Sequence, residues 1–465
     1  MKNFFKKENV FHFASSPVFI IVLSILAFLS WVVKGNWIWC FLPLYAFLCI
    51  APLTNNDGRG YLPLLFYILI IDNQDIHFNG GIPPSLIFCI SFYLGSLLLY
   101  LFIHKPKMVT GKIFFSLLAL FISFLVSFLI NIAKNGSKGS IGILYIITLF
   151  IVLCLYSLLN SVLGKDETLP YFCLTIACFS IAAALETNVE LFKQLFETNE
   201  IMASNDFSLG WSYTRDTIST FLTLSLPFFA ILINKKQIQW FAFVVYILLI
   251  LFLLSTDSFI LSLLFFVIPF VILTLKDYSK ASLYYIMFSF LAIGIIFGLM
   301  MAFNETFKNR IVMTVSRLNL FSDNTIEFYK PVLEEYISNP IFGSSIANIS
   351  NENGTVSLIG NTLLSSMQLG GSIGLGFYLI YDIFVYIDIF KKDSKEKWFI
   401  LLFYLNLELI GLINNTIYNI FILIFTLTTL SVFQQSNKQE EVIVHQDFFK
   451  HFEKEEQFLK NINNV

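Results

Sequence analysis

Blocks of roughly 17–22 apolar residues recur along almost the whole chain, each about the length a helix needs to cross the hydrocarbon core of a bilayer. Lipid offers no partner to a bare peptide group, so such a block is stable across a membrane only when its backbone bonds to itself as a helix. The composition agrees. Of 465 residues, 57% are hydrophobic and 13% charged, against about 25% charged in an ordinary soluble protein. A soluble globule with these residues would leave large apolar patches in water. The sequence therefore predicts an all-α polytopic integral membrane protein, and its 54 phenylalanines read as lipid-facing bulk.

Spans are predicted near 17–33, 37–53, 61–72, 85–103, 112–132, 141–163, 169–186, 217–233, 238–254, 258–275, 282–303, 372–390, 399–413 and 417–433. The third and the last two are short, so the expected number is about 12–14. Lysine and arginine concentrate in short cytoplasmic loops of membrane proteins. With the N-terminus inside, 20 of the 29 basic residues fall on the cytoplasmic side, and only Lys34, Lys134 and Lys138 sit in short outer loops. Both termini are then cytoplasmic and the chain is multi-pass. The start, MKNFFKKENVFHFASSP, has a basic end but no small-residue cleavage site, so the first block reads as a retained span. One membrane domain over 1–433 and a polar cytoplasmic tail over 434–465 is the simplest organisation. The tail run EEVIVHQDFFKHFEKEEQFLK is either solvated or an amphipathic helix on the inner leaflet.

Several function classes drop out. A net charge of -2 excludes a nucleic-acid binder that relies on excess basic charge. None of the six cysteines forms a CxxC pair, and they read as structural thiols. His77 alone among the histidines lies outside, so no histidine cluster points to a metal, and no cofactor is implied.

Two long outer loops interrupt the short connections, about 187–216 and 304–359. Loops of that length in a compact domain are usually functional or disordered. In the second, IEFYKPVLEEYI places Ile326, Tyr329, Leu333, Tyr336 and Ile337 at helical spacing, which predicts an amphipathic helix on the outer surface that ends at Asn339-Pro340. Gly370 and Gly371 predict a break, with a short outer helix at 358–369 feeding a span from about 372 and Asn361 near the outer face.

Arg215 ends the first loop beside Trp211 and Tyr213. It reads either as an interfacial anchor or as a clamp for a diphosphate, since guanidinium donates paired hydrogen bonds to phosphate oxygens. Lys308, Arg310 and Arg317 in the second loop favour an anionic substrate on that side. Glu408 and Asp382 lie within predicted spans, where a carboxylate costs roughly 2.5–3.5 kcal/mol unless paired, protonated or wetted. They line either a cavity or proton path, or form interhelical hydrogen bonds as protonated acids. Asp72 and Asp75 form an acid pair or a solvated turn.

The runs FYKPVLEEYISNPIFGSSIANI and GNTLLSSMQLGGSIGLGFYL resemble the late-loop motifs of Wzy-type polysaccharide polymerases, relatives of the O-antigen ligases. Asn339, Pro340 and Gly343 match that family's turn. Asn361 matches the second residue of its His-Asn pair, and Gly370, Gly371 and Gly374 match its glycine-rich span start. Arg215 resembles the family's first functional arginine. Gly360 stands where the family has its histidine, and LLSTDSF at 253–259 replaces its usual serine-arginine.

The resemblance implies an enzyme, a glycosyltransferase-type polymerase of O-antigen, capsular or exopolysaccharide in the bacterial plasma membrane. It would join undecaprenyl-diphosphate-linked oligosaccharide repeats on the outer face. It also implies Arg215, Arg310 and Arg317 as diphosphate or acceptor contacts and Glu335 as the base. Trp211, Tyr213, Tyr329 and Asn361 would contact sugars. The lipid bilayer, a chain-length regulator and a flippase are the further partners in view. The competing readings are a lipid-linked oligosaccharide flippase and an O-antigen ligase-like glycan transferase.

Overall fold

The computed structural model describes residues 13–32, 38–54, 57–70, 84–111, 113–135, 140–163, 168–198, 203, 207, 209, 214–234, 239–262, 280–318, 330, 333–334, 336–343, 361–392, 394–414, 416 and 419–436. Among them the chain is helical, with no strand. In chain order the helices are α1 (Pro17–Val32), α2 (Ile38–Leu48), α3 (Tyr61–Ile70), α4 (Pro84–His104), α5 (Phe114–Asn135), α6 (Ser140–Val162) and α7 (Thr168–Thr198). They continue with α8 (Arg215–Asn234), α9 (Trp240–Leu254), α10 (Lys280–Phe303), α11 (Glu305–Leu318), α12 (Thr362–Phe390), α13 (Lys397–Gly411) and α14 (Ile420–Ser436). Among the described residues, five stretches are long and apolar enough to cross a membrane: Ser85–His104, Phe114–Ala133, Thr168–Glu197, Arg215–Ile233 and Thr362–Phe390. This is an all-helical fold of the membrane-protein kind.

Helix α8 is the axis of the bundle, with 94% of its apolar stretch buried. It packs against α7, α9 and α13, while α1 and α14 pack on α7, α6 on α14 and α5, and α12 on α5 and α13. Serine and threonine are tolerated inside because many return their hydroxyl to their own helix, as Ser30 does to the Leu26 carbonyl at 2.7 Å and Thr187 to Ala183 at 2.7 Å. The long apolar side chains Phe47, Phe102, Phe115 and Phe288 point outward from the bundle.

The phenylalanines correct one expectation. Phe66 of α3, Phe172 and Phe179 of α7, Phe221 and Phe228 of α8, Phe403 of α13 and Phe421 and Phe425 of α14 are all buried. Their rings meet at centroid distances of 5.1–6.5 Å, most of them edge to face. Helices in lipid gain little from hydrophobic burial against one another, so packing contacts of this kind hold them together. Much of the phenylalanine is therefore core.

Two further differences concern the loops. The first long loop, expected from about 187, begins later because α7 continues to Thr198. That extension is rich in Glu, Leu, Lys, Gln and Phe, and Lys193 pairs with Glu190 at 3.2 Å one turn apart. In the second loop, expected over 304–359, the first fourteen residues after Asn304 form α11, capped by Asn304 through a 3.0 Å bond to the Phe307 N–H. Phe307 buries against Phe297 and Phe252 while Lys308 faces outward, so α11 is amphipathic. Of the helix expected at 326–337, the described residues Lys330, Leu333, Glu334, Tyr336 and Ile337 are helical, with Lys330 and Glu334 3.9 Å apart. Of the expected span 258–275, only the start to 262 is among the described residues.

Candidate site at one end of the bundle

Helix α12 breaks where two glycines interrupt its apolar run. Gly371 has φ 61 and ψ -152, a backbone conformation essentially reserved for glycine. Into this break fits the turn Asn339–Gly343. The Ser372 N–H donates to the Pro340 carbonyl at 2.9 Å and the Ile373 N–H to Ile341 at 3.4 Å. Gly343, also at positive φ (66), lies so close that a Cβ there would sit 2.6 Å from the Gly371 nitrogen. Helix α5 holds the other side. The Ser127 hydroxyl lies 2.7 Å from the Leu369 carbonyl and also touches that of Phe342, and Asn131 donates to the Gly343 carbonyl at 3.1 Å. Tyr336 and Ser372 join their hydroxyls at 2.6 Å. The two motif segments read from sequence are thus one structural unit.

The same end of the bundle carries a layer of neutral polar side chains. Asn361 caps α12 by accepting from the Leu364 N–H at 3.0 Å and donates to the Leu412 carbonyl at the end of α13 at 2.9 Å. Thr362 reaches the Asn414 carbonyl at 3.1 Å and Thr416 at 3.2 Å. Asn414 then donates to Ser258, which also receives Thr220 of α8 at 3.2 Å, and Thr256 donates to Ser219. Asn419 donates to Thr217 at 3.2 Å, and Thr217 meets Thr214 at 3.1 Å. Five chain segments are tied at their ends by hydroxyls and amides, none of which carries a charge.

Arg215 is the first residue of α8, one residue from Thr214 and two from Thr217, and is half-buried. Its main-chain N–H donates to the Phe207 carbonyl at 3.1 Å. Arg215 therefore stands at a helix N-terminus, where the helix dipole favours an anion. Arg310 is placed differently. From α11 it donates to the Ala203 carbonyl at 2.7 Å, to the Ser255 hydroxyl at 2.5 Å and to the Leu254 carbonyl at 3.4 Å. It closes the C-terminus of α9, where Ser255 turns left-handed at φ 44, and braces the segment carrying Ala203.

The structure brings together Arg215, Arg310 and Asn361 at one end, but Asn361 and Arg310 spend described polar contacts on helix termini. Arg317 belongs to α11, with its side chain outside the described residues. Trp211, Tyr213, Tyr329 and Glu335 lie outside them too, as do Asp72, Asp75 and His77. Sequence reasoning missed Thr217, Thr220, Ser258, Asn414, Thr416 and Asn419. Their signal was present in the clustering of Ser, Thr and Asn at the margins of successive apolar blocks.

Deeper in the bundle, Asp382 of α12 and Glu408 of α13 are each hydrogen-bonded by a tyrosine of the other helix. Tyr404 donates to Asp382, and Tyr378 lies 3.1 and 3.2 Å from the two Glu408 oxygens. Of the two readings of these acids, the interhelical hydrogen-bonded one matches this geometry. At the opposite end, Gln434 donates to Asp388 at 2.7 Å and accepts from Tyr156 at 2.8 Å, and Arg59 pairs with Asp57 at 2.7 Å.

Comparison with known proteins found no matching family model, no similar curated protein and no similar solved structure.

Proposed function

We propose that this chain is a membrane glycosyltransferase-type polymerase that joins polyprenyl-diphosphate-linked oligosaccharide units at the outer face of a bacterial plasma membrane, with both termini in the cytoplasm. The observation that carries this reading is Arg215 at the N-terminus of α8, on the margin of the hydroxyl and amide layer. A guanidinium at a helix N-terminus suits a diphosphate. Neutral groups that both donate and accept suit sugar hydroxyls. The seated Asn339–Gly343 turn, on which the proposed motif resemblance rests, lies at the same end.

In this mechanism the anomeric C–O bond to the carrier breaks as an acceptor hydroxyl attacks. The leaving diphosphate takes up negative charge that Arg215 stabilises in place, where a preoriented donor costs no reorganisation. Arg310 acts as a positioning residue by fixing the α9 terminus and the segment at Ala203. Arg317 and Glu335 remain proposed as a second phosphate contact and the base that takes the acceptor proton. Trp211, Tyr213 and Tyr329 remain proposed as sugar-stacking aromatics.

The test is deletion of the gene and complementation with Arg215→Ala, reading lipid-linked and surface glycans on gels. Single repeat units at the outer face with no ladder, in the deletion and in a normally inserted Arg215→Ala variant, are the expected outcome. A normal ladder from Arg215→Ala removes the arginine from the mechanism. Units stranded on the inner leaflet would make the protein a flippase.

A further inference from the structure

The last two turns of α12 carry a shallow, open groove of about 440 Å³ on one helix face, lined by Ile383, Tyr386, Ile387, Phe390 and Lys391. These positions recur at helical spacing and form one face. Ile383, Phe390 and Lys391 are exposed, and the Tyr386 ring is fixed edge to face against Tyr404 at 5.2 Å. The groove is apolar along its length and cationic at its mouth. The turn that follows adds Lys395 and Lys397, with Lys397 5.8 Å from the ring centre of the exposed Trp398. Tryptophan and lysine at a helix end mark the headgroup level of a bilayer. Lys392 is already committed, buried against the Phe433 ring and carbonyl.

We infer that this groove is a binding site for an anionic phospholipid, with an acyl chain against Ile383, Ile387 and Phe390 and the phosphate on Lys391. The apolar wall fits hydrocarbon, and the single exposed lysine at its mouth is complementary to a phosphate. Helix α12 ends here, and its terminal carbonyls repel an anion. The ammonium of Lys391 therefore carries the headgroup selectivity. This inference concerns the end of the bundle opposite the polar layer and does not depend on the proposed polymerase activity.

The experiment is native mass spectrometry of the full-length purified protein in detergent, titrated with phosphatidylglycerol or with phosphatidylcholine of the same acyl chains. One phosphatidylglycerol is expected to be retained about fivefold more strongly, the factor equivalent to about 1 kcal/mol for one lysine near a membrane surface. Lys391→Ala removes the preference and Lys391→Glu reverses it. Lys395→Ala, away from the groove, leaves it in place. Ile387→Trp, which fills the groove, weakens retention of both lipids. Equal retention of the two lipids, or a preference that survives Lys391→Ala, overturns the proposal. A preference lost equally in Lys395→Ala overturns it as well, since general surface charge would then account for it.

Discussion

Replacing Gly371 by alanine is the sharpest perturbation the structure offers. A Cβ at this position would lie 2.4 Å from the Ile341 oxygen and 2.5 Å from the Gly343 nitrogen. Both are main-chain atoms of the seated turn, so neither can swing aside as a side chain would. The backbone conformation at Gly371 alone costs a non-glycine residue about 1–3 kcal/mol. If the turn withdraws to make room, the bonds from Ser372 and Ile373 to Pro340 and Ile341 are lost, each worth about 0.5–1.5 kcal/mol net. Together Gly371→Ala should destabilise by roughly 2–6 kcal/mol.

Gly376, five residues on in the same helix, is the internal control. It has nothing within 4 Å of its would-be Cβ, so Gly376→Ala should be neutral or stabilise by about 0.5–1 kcal/mol. Equilibrium unfolding of both variants in mixed micelles, titrated with a denaturing detergent, gives the two numbers side by side. A Gly371→Ala variant within about 0.5 kcal/mol of the parent would refute the reasoning, because a surface-like substitution has that effect. It would mean that the turn does not rest on the break.

Two other perturbations test separate parts of the fold. Arg310→Met removes the guanidinium that bridges Ala203, Leu254 and Ser255, and bonds to a charged group are worth about 1.5–3 kcal/mol; faster hydrogen exchange at the Ala203 and Ser255 amides is the expected readout, with unchanged exchange counting against the brace. For the acids, Asp382→Asn, Glu408→Gln and the double variant form a thermodynamic cycle. A coupling of about 0.6–1.7 kcal/mol is expected for hydrogen bonds between membrane helices, and additive effects would show that the two carboxyls do not interact.

The helices were legible because lipid-scale apolar blocks leave few alternatives. The block at 85–103 became Pro84–His104, the one at 112–132 became Phe114–Asn135, and the one at 399–413 became Lys397–Gly411. The break in α12 was legible too, since paired glycines inside an apolar run have few other uses. Other features depended on which face a residue occupies, and composition carries no such information when every face is apolar. Phe425 and Phe102 look alike in sequence, yet one is fully buried among rings and the other is 77% exposed. The extension of α7 past Glu186 was hidden because its polar residues resemble a loop once the apolar run ends. The partners of Arg310, Ala203 and Ser255, lie far from it in sequence and meet it only in three dimensions.

The break and the turn also explain each other without any appeal to chemistry. Interrupting a helix inside an apolar segment frees N–H and C=O groups that lipid cannot satisfy. Here the Pro340 and Ile341 carbonyls take the freed N–H groups of Ser372 and Ile373, while Ser127 and Asn131 of α5 serve the Leu369 and Gly343 carbonyls. Asn339, Pro340, Gly343, Gly370 and Gly371 are therefore accounted for by backbone satisfaction and close approach, with Gly370 packed on Phe124. Asn361 is spent on capping and Arg310 on bracing. The functional reading stands on the position of Arg215 at the start of α8.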